Sequence, residues 1–185
     1  MNKLKTGLNY YSFKSAIGEI YYIWSRPDND PEILGLNDNR SLLINYIGLG
    51  ESAFNNYLDN IAKNFYSSEP IIIENSSKYI EDEINNFLEK KSEEIKLTPD
   101  FLIGTVFEKT VWTEMMKIPY GKTASYKEIA SMAGKPDAYR AAGTAIGKNP
   151  LLILAPCHRV IKSSGEMGNF SSGVKIKKIL LDLES

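Results

Sequence analysis

The chain's only cysteine and only histidine are neighbours, in Pro156-Cys157-His158-Arg159-Val160. A thiol is the strongest nucleophile a side chain offers near neutral pH, and imidazole is the usual group to take its proton. Adjacent residues need not face each other, so His158 is expected to reach Cys157 through a water. The same two residues also allow a plainer reading, a small buried hydrophobe beside a hydrogen-bonded core histidine. One Cys and one His are too few for a Cys/His zinc site, and no ligand cluster suggests a carboxylate one.

The segments on either side must position the thiol. Leu151-Leu152-Ile153-Leu154 is an unbroken apolar run, too short for a membrane span and suited to burial. It leads to Ala155-Pro156, where proline fixes φ and removes an amide donor. Val160-Ile161 then resumes an apolar stretch. The cysteine is therefore expected at a stiff bend between buried segments, a placement that can hold a nucleophile in a pocket.

Upstream, Thr105-Val106-Phe107-Glu108 is a capping box, and Phe107, Val111 and Met115 fall on one helical face. Pro119-Tyr120-Gly121-Lys122 ends that helix. Ser125-Tyr126-Lys127-Glu128 is a second capping box, leading into Ile129, Ala130 and Ala133. Gly134-Lys135-Pro136 predicts a tight turn. Asp137 is expected to cap a helix from Ala138 to Gly147 that carries Ala141, Ala142, Ala145 and Ile146 and stops at Asn149-Pro150. Two short helices joined by a Gly-containing turn match a helix-turn-helix. The second helix is thin, with mostly Ala, Gly and Thr side chains, and Arg140 projects from its first turn. It reads either as a tight helix–helix contact with a surface arginine, or as a helix that fits a narrow groove and inserts Arg140 into a base stack.

The N-terminal half reads as strands and then helices. Asn9 to Phe13 and Ile17 to Trp24 are rich in aromatic and β-branched residues. A turn-prone stretch, Arg26 to Pro31, follows. Ile33 to Leu36 and Leu42 to Ile47 predict further strands, and Phe54 to Phe65 a helix. Ser77 is placed to cap a helix with Ile80, Ile84, Phe87 and Leu88 on one face. The charged stretch Lys90 to Lys96 reads as a linker. The expected division is residues 1–95, a scaffold, and residues 96–185, which carry the chemistry.

Composition narrows the class. The 185 residues are 43% hydrophobic and 24% charged, ordinary for a globular protein. A lone cysteine fits a reducing compartment, so a cytoplasmic protein is expected, or a nuclear one in a eukaryote. Neither a signal peptide nor a membrane span is expected. The net charge of −1 hides an asymmetry: residues 1–100 hold 10 Lys/Arg against 16 Asp/Glu, and residues 101–185 hold 12 against 7. The basic half reads either as ordinary solvated charge or as a polyanion-binding surface.

From Gly104 to Glu184 the chain resembles the O6-alkylguanine-DNA alkyltransferases. The resemblance lies in Gly104-Thr105, Val111-Trp112, Ile118-Pro119-Tyr120-Gly121, Ser125-Tyr126, Arg140-Ala141, Asn149-Pro150 and the Cys157 motif, in that order and spacing. The N-terminal half is similar only loosely. The family implies an α+β fold: an N-terminal α/β domain with a small ribonuclease H-like sheet, then a mostly helical domain with a winged helix-turn-helix. It implies single-turnover DNA repair, with the alkyl group passing irreversibly from guanine O6 to the Cys157 thiolate. His158 would accept the thiol proton through a water and Glu184 would support it. An apolar stripe of Ile176, Ile179, Leu180 and Leu183 would dock the last helix and aim Glu184 inward. Tyr126 would rotate the lesion's phosphate and hydrogen-bond the departing guanine. Arg140 would fill the gap left by the flipped base, beside Ser125 and Ala141 at the DNA. Asn149 would brace the turn before the cysteine, and Pro156, Arg159, Met167, Phe170 and Ser171 would shape the pocket.

The implied partner is double-stranded DNA carrying O6-alkylguanine, docked through its minor groove. The protein would be a monomer, with O4-alkylthymine as a second substrate and cooperativity along DNA left open. No cofactor and no metal are implied, since the alkyl group comes from the DNA. Two departures stand out: Phe170 replaces the family's usual Tyr, and Ser172 replaces the first of a Gly pair. Methyl transfer is still expected. The competing readings are a lesion sensor or helix-turn-helix regulator with an inert cysteine, and a Cys-His hydrolase.

Overall fold

The computed structural model describes residues 7–27, 42–64 and 72–185. The described residues form a mixed α+β structure with one main sheet and six α-helices among them. The sheet is built from β1 (Leu8–Ser15), β2 (Gly18–Ser25), β3 (Leu43–Leu49), β4 (Ile72–Glu74) and β5 (Thr98–Pro99), in the order β4-β1-β2-β3-β5. The β1–β2 and β2–β3 pairs are antiparallel, and the two edge pairings are parallel. The predicted strand at Ile33 to Leu36, and the turn beyond Pro27, lie outside the described residues.

Near-continuous burial along β2 and β3 reflects a sheet covered on both faces. Ile23 and Tyr46 face helix α1 (Glu51–Asn64), packing on Phe54, Tyr57 and Ile61. Ile20, Tyr22 and Trp24 face the other way, toward helix α2 (Lys78–Leu88) with its stripe of Ile80, Ile84, Phe87 and Leu88. Ser77 does occupy the N-cap position of α2, but its side chain makes no capping bond; its backbone N–H donates to Tyr22 Oη at 2.7 Å. The segment 89–95 holds neither helix nor strand.

The C-terminal half contributes helix α3 (Val106–Met115), strand β6 (Ala124–Ser125), helix α4 (Tyr126–Met132), helix α5 (Tyr139–Gly147), strand β7 (Val160–Ile161) and helix α6 (Val174–Leu183). Both predicted capping boxes are present, Thr105 with Glu108 and Ser125 with Glu128. The predicted cap of α5 is not. A turn closed by Ala138 N–H to Lys135 O (2.9 Å) leaves Asp137 one residue too early, and Ala138 takes the N-cap position without a side-chain bond. The apolar stripe expected on α6 packs on the core at Ile176, Leu180 and Leu183, but not at Ile179. Ile179 is 37% exposed, whereas Lys177 is fully buried. The main core joins both halves: Ile44 and Ile47 of β3 belong to the same cluster as Trp112, Met115 and Leu151 to Cys157.

Candidate active site

The segment that carries Cys157 is latched to the sheet. Ile47 N–H donates to Pro150 O at 2.9 Å, and Leu152 N–H donates to Ile47 O at 2.9 Å, a parallel bridge between β3 and the loop. Leu151, Leu152, Ile153 and Leu154 are all buried, and Ile153 adopts φ +61°, the left-handed bend that turns the chain back. Pro156 then heads a 3-10 turn, Cys157–Arg159, closed by Arg159 N–H to Pro156 O at 2.9 Å. Asn149 braces the whole turn. Its Nδ2 donates to Ala155 O (2.7 Å) and lies 3.3 Å from Cys157 Sγ, while its Oδ1 accepts from Leu151 N–H (3.0 Å).

Cys157 is only 3% exposed. Burial pushes its thiol above the ordinary value; the Asn149 amide, the positive charge of Lys177 and nearby backbone N–H groups pull the other way without offsetting it. In the DNA-free protein this group therefore rests as a thiol and needs a base to become a nucleophile.

The residue that follows it carries an imidazole. His158 is fully buried, with Nε2 2.7 Å from Glu184 Oε1. Burial alone would raise the Glu184 carboxyl, but hydrogen bonds from His158 and Arg159 bring it down to about 2. Burial lowers the His158 imidazole below its ordinary value despite the carboxylate beside it. An ionised carboxylate can only accept, so Nε2 carries the hydrogen of a neutral ring. Nδ1 is then a lone pair. Among the described residues this buried atom has no hydrogen-bond partner, so it is free to take a proton.

Two basic residues complete the arrangement, and their parts were not read from the sequence. Arg159 was expected only to shape the pocket. Its Nε donates to Glu184 Oε2 (2.8 Å), one terminal nitrogen to Glu184 Oε1 (3.0 Å) and the other to Ile118 O (2.6 Å), a two-pronged clamp that fixes the carboxylate. Lys177 of α6 donates to the carbonyls of Val160 and Met167, tying down both ends of the loop after the cysteine. Burial lowers its ammonium to about 8. A lysine ordinarily lies on a solvated face. Its place three residues before Leu180 is the sequence signal that could have put it on the packed side.

A cleft of about 960 Å³ opens over the thiol, lined by Tyr126, Arg140, Gly143, Cys157, Phe170 and Ser171 among others. Tyr126, the first residue of α4, is half-buried; a Cβ on Gly168 would lie 2.8 Å from its hydroxyl and one on Gly143 3.5 Å from its ring. Burial and the neighbouring Cys157 raise its phenol. Arg140 is exposed on α5 and lies over the Tyr139 ring at 5.7 Å. Ala141 is exposed on the same helix, while the Ser125 hydroxyl accepts from Glu128 N–H as the cap of α4. Phe170 packs with its ring 5.9 Å from Lys177 Nζ. Of the residues read from the sequence, Tyr126, Arg140, Phe170 and Ser171 line this cleft with Cys157, Asn149 and Ser172 line a second cavity that also reaches Cys157, His158 and Arg159 meet at Glu184, and Ser125 and Ala141 line neither cavity.

Comparison with known proteins agrees with this geometry. Residues 106–185 match the family model for the 6-O-methylguanine DNA methyltransferase DNA-binding domain. A methylated-DNA–protein-cysteine methyltransferase of Methanosarcina barkeri is 51% identical over 94 residues, 51% of this chain and 58% of its own length. The inducible methylated-DNA–protein-cysteine methyltransferase of Bacillus subtilis is 45% identical over 102 residues, 55% of this chain and 56% of its own. The match therefore spans little more than half the length of these relatives. In structure, Mycobacterium tuberculosis OGT in complex with DNA superposes with a TM-score of 0.72 at 29% identity, over 95% of this chain and 92% of that one. The resemblance to the O6-alkylguanine-DNA alkyltransferase family is thus shown, in sequence through the half that carries Cys157 and in fold over nearly the whole chain.

Proposed function

We propose that this protein repairs alkylated DNA by irreversible transfer of an alkyl group from guanine O6 to Cys157. The observation that carries the reading is the buried thiol at the floor of a cleft, beside an imidazole whose free Nδ1 is set by Glu184 and Arg159. A base flipped out of the duplex enters the cleft between Tyr126 and Phe170. The thiol proton passes to His158 Nδ1 through a water. Sγ attacks the alkyl carbon, the S–C bond forms as the C–O6 bond breaks, and the electron pair leaves with the guanine. The base takes up a proton on the side of Tyr126, so the net result is a thioether and an unmodified guanine. A thioether has no ready route back to a thiol, and each molecule acts once.

In this reading α4, the turn and α5 form the helix-turn-helix, with β6 and β7 at its wing, and the five-stranded sheet is the ribonuclease H-like part. The thin face of α5 enters the minor groove and Arg140 occupies the vacated stack. The basic C-terminal half supplies phosphate contacts. The partner is double-stranded DNA carrying O6-alkylguanine, bound by a monomer in the cytoplasm without a cofactor.

The test is intact-protein mass after mixing with a duplex containing one O6-methylguanine, followed by peptide mapping. One added methyl, on Cys157 and stopping at one per protein, is the expected result, and Cys157→Ser gives none. Lesion binding with unchanged mass makes the protein a sensor instead.

A further inference from the structure

Helix α5 presents one strip to the cleft over the thiol. Tyr139, Gly143 and Gly147 recur every four residues and all line that cleft, with Arg140 beside them. The glycines keep the strip flat. Tyr139 is the exception in bulk, and it stands at the first residue of the helix, where a large side chain does not hold the rest of α5 away from a groove. It is 45% exposed, so the core does not take up its ring. Its hydroxyl makes no hydrogen bond among the described residues.

The ring has a different partner. The Arg140 guanidinium lies over it, 5.7 Å from the centroid. Successive residues of a helix do not face each other, so Arg140 has to fold back toward the start of α5, the direction in which helical side chains lean. Among the described residues no carboxylate pairs with Arg140. The cation is held by an aromatic face rather than by a counter-ion. That difference matters for a side chain that must leave water beside DNA. A carboxylate would bring negative charge toward the phosphates. A ring brings none, and its attraction for a cation strengthens as water is excluded.

On the alkyl-transfer reading above, we infer that Tyr139 is a positioning residue for Arg140: its ring holds the guanidinium at the mouth of the cleft in the free protein and stays against it when Arg140 fills the stack vacated by the lesion. The contact is stronger in the desolvated stack than in the free protein, so Tyr139 favours the flipped state. Holding the guanidinium beforehand also lowers the entropy cost of fixing a long, flexible side chain. The hydroxyl takes no part, so a phenyl ring serves equally well.

The test uses a duplex carrying one O6-methylguanine and two readouts. One is single-turnover methyl transfer at subsaturating protein. The other, in a Cys157→Ser background that leaves the lesion in place, is the emission of a fluorescent cytosine analogue opposite the lesion, which reports flipping. Tyr139→Ala is expected to lower both by about fivefold to tenfold, the gain of a cation–π contact on losing its water. Tyr139→Phe should stay within about twofold of the wild-type protein, because the ring face remains. In an Arg140→Ala protein, Tyr139→Ala should add less than about twofold, because no cation is left to hold. A loss of the same size with and without Arg140 overturns the assignment and makes Tyr139 a DNA contact in its own right. A Phe variant as slow as the Ala variant, or an Ala variant as fast as wild type, overturns it as well; all three outcomes leave methyl transfer standing. A wild-type protein that transfers no methyl removes the repair reading and this assignment with it.

Discussion

The acid–base character of the site rests on Glu184, and its consequence is a pH dependence with a definite sign. Its folded carboxyl is held at about 2, below the ordinary 4.5, so it contributes stability that is present above the ordinary value and lost as pH falls through the folded one. His158 has the same sign: its folded imidazole lies below 6.5, so acid favours the unfolded chain, where the ring charges freely. Urea melts should therefore show stability falling from about pH 6.5 downward, with a second decline below about pH 4.5. Glu184→Gln should shrink the lower decline to what other depressed carboxyls such as Glu108 contribute, and cost about 3–5 kcal/mol at pH 7, because it strands the Arg159 charge. Methyl transfer by this variant should slow more than binding of the lesion weakens. A Glu184→Gln protein with the wild-type acid profile would show that the clamp contributes nothing. Cys157 and His158 were legible from their adjacency. The buried Lys177 was not, because hydropathy assigns a lysine to water and cannot register two carbonyls waiting for it.

At the scale of elements, local chemistry was read well and longer reach poorly. The capping boxes of α3 and α4 are contained within four residues each, and both formed as written. The start of α5 depends on how the preceding turn closes, which the Asp137 motif alone does not encode. The stripe of α6 missed one position for a similar reason: Lys177, whose ammonium meets carbonyls of the loop it packs on, is buried in place of Ile179. Two glycines beside Tyr126 make the point testable. Gly168 has φ +69° and a Cβ there would meet the Tyr126 hydroxyl at 2.8 Å, whereas Gly143 lies within helix α5 with 3.5 Å to the ring. Gly168→Ala should cost about 1–2 kcal/mol in thermal unfolding and slow methyl transfer further by displacing the phenol. Gly143→Ala should leave the melting temperature unchanged or raise it, since alanine is favoured over glycine in a helix by up to about 1 kcal/mol. Equal losses in the two variants would mean that neither the left-handed backbone nor the contact with Tyr126 matters.

The whole molecule is joined where no sequence pattern could show it. Ile47 and Leu151 are more than a hundred residues apart, and their pairing couples the central part of the sheet to the nucleophile's loop. The stretch Leu42 to Ile47 reads as a strand from sequence, but says nothing of what lies along it. This pairing ties the N-terminal half to the segment that leads into Cys157. Ile47→Ala removes packing beneath that segment and should cost about 2–4 kcal/mol. Ile61→Ala should cost a similar amount, since Ile61 is equally buried, but it sits in the separate cluster under α1 on the other face of the sheet. Iodoacetamide labelling of Cys157 in the native protein at pH 8 separates a local latch from general stability. Labelling should be slow in the wild-type protein, because the thiol is covered and its ionisation is opposed by burial. If the latch opens locally, Ile47→Ala should speed labelling by roughly 30-fold in the absence of urea, the equivalent of about 2 kcal/mol. Ile61→Ala should speed it far less, because opening the other face leaves the Pro150 and Leu152 bonds in place. Equal acceleration in the two variants would mean that the thiol is reached only by global unfolding, and that the sheet stabilises the site without gating it.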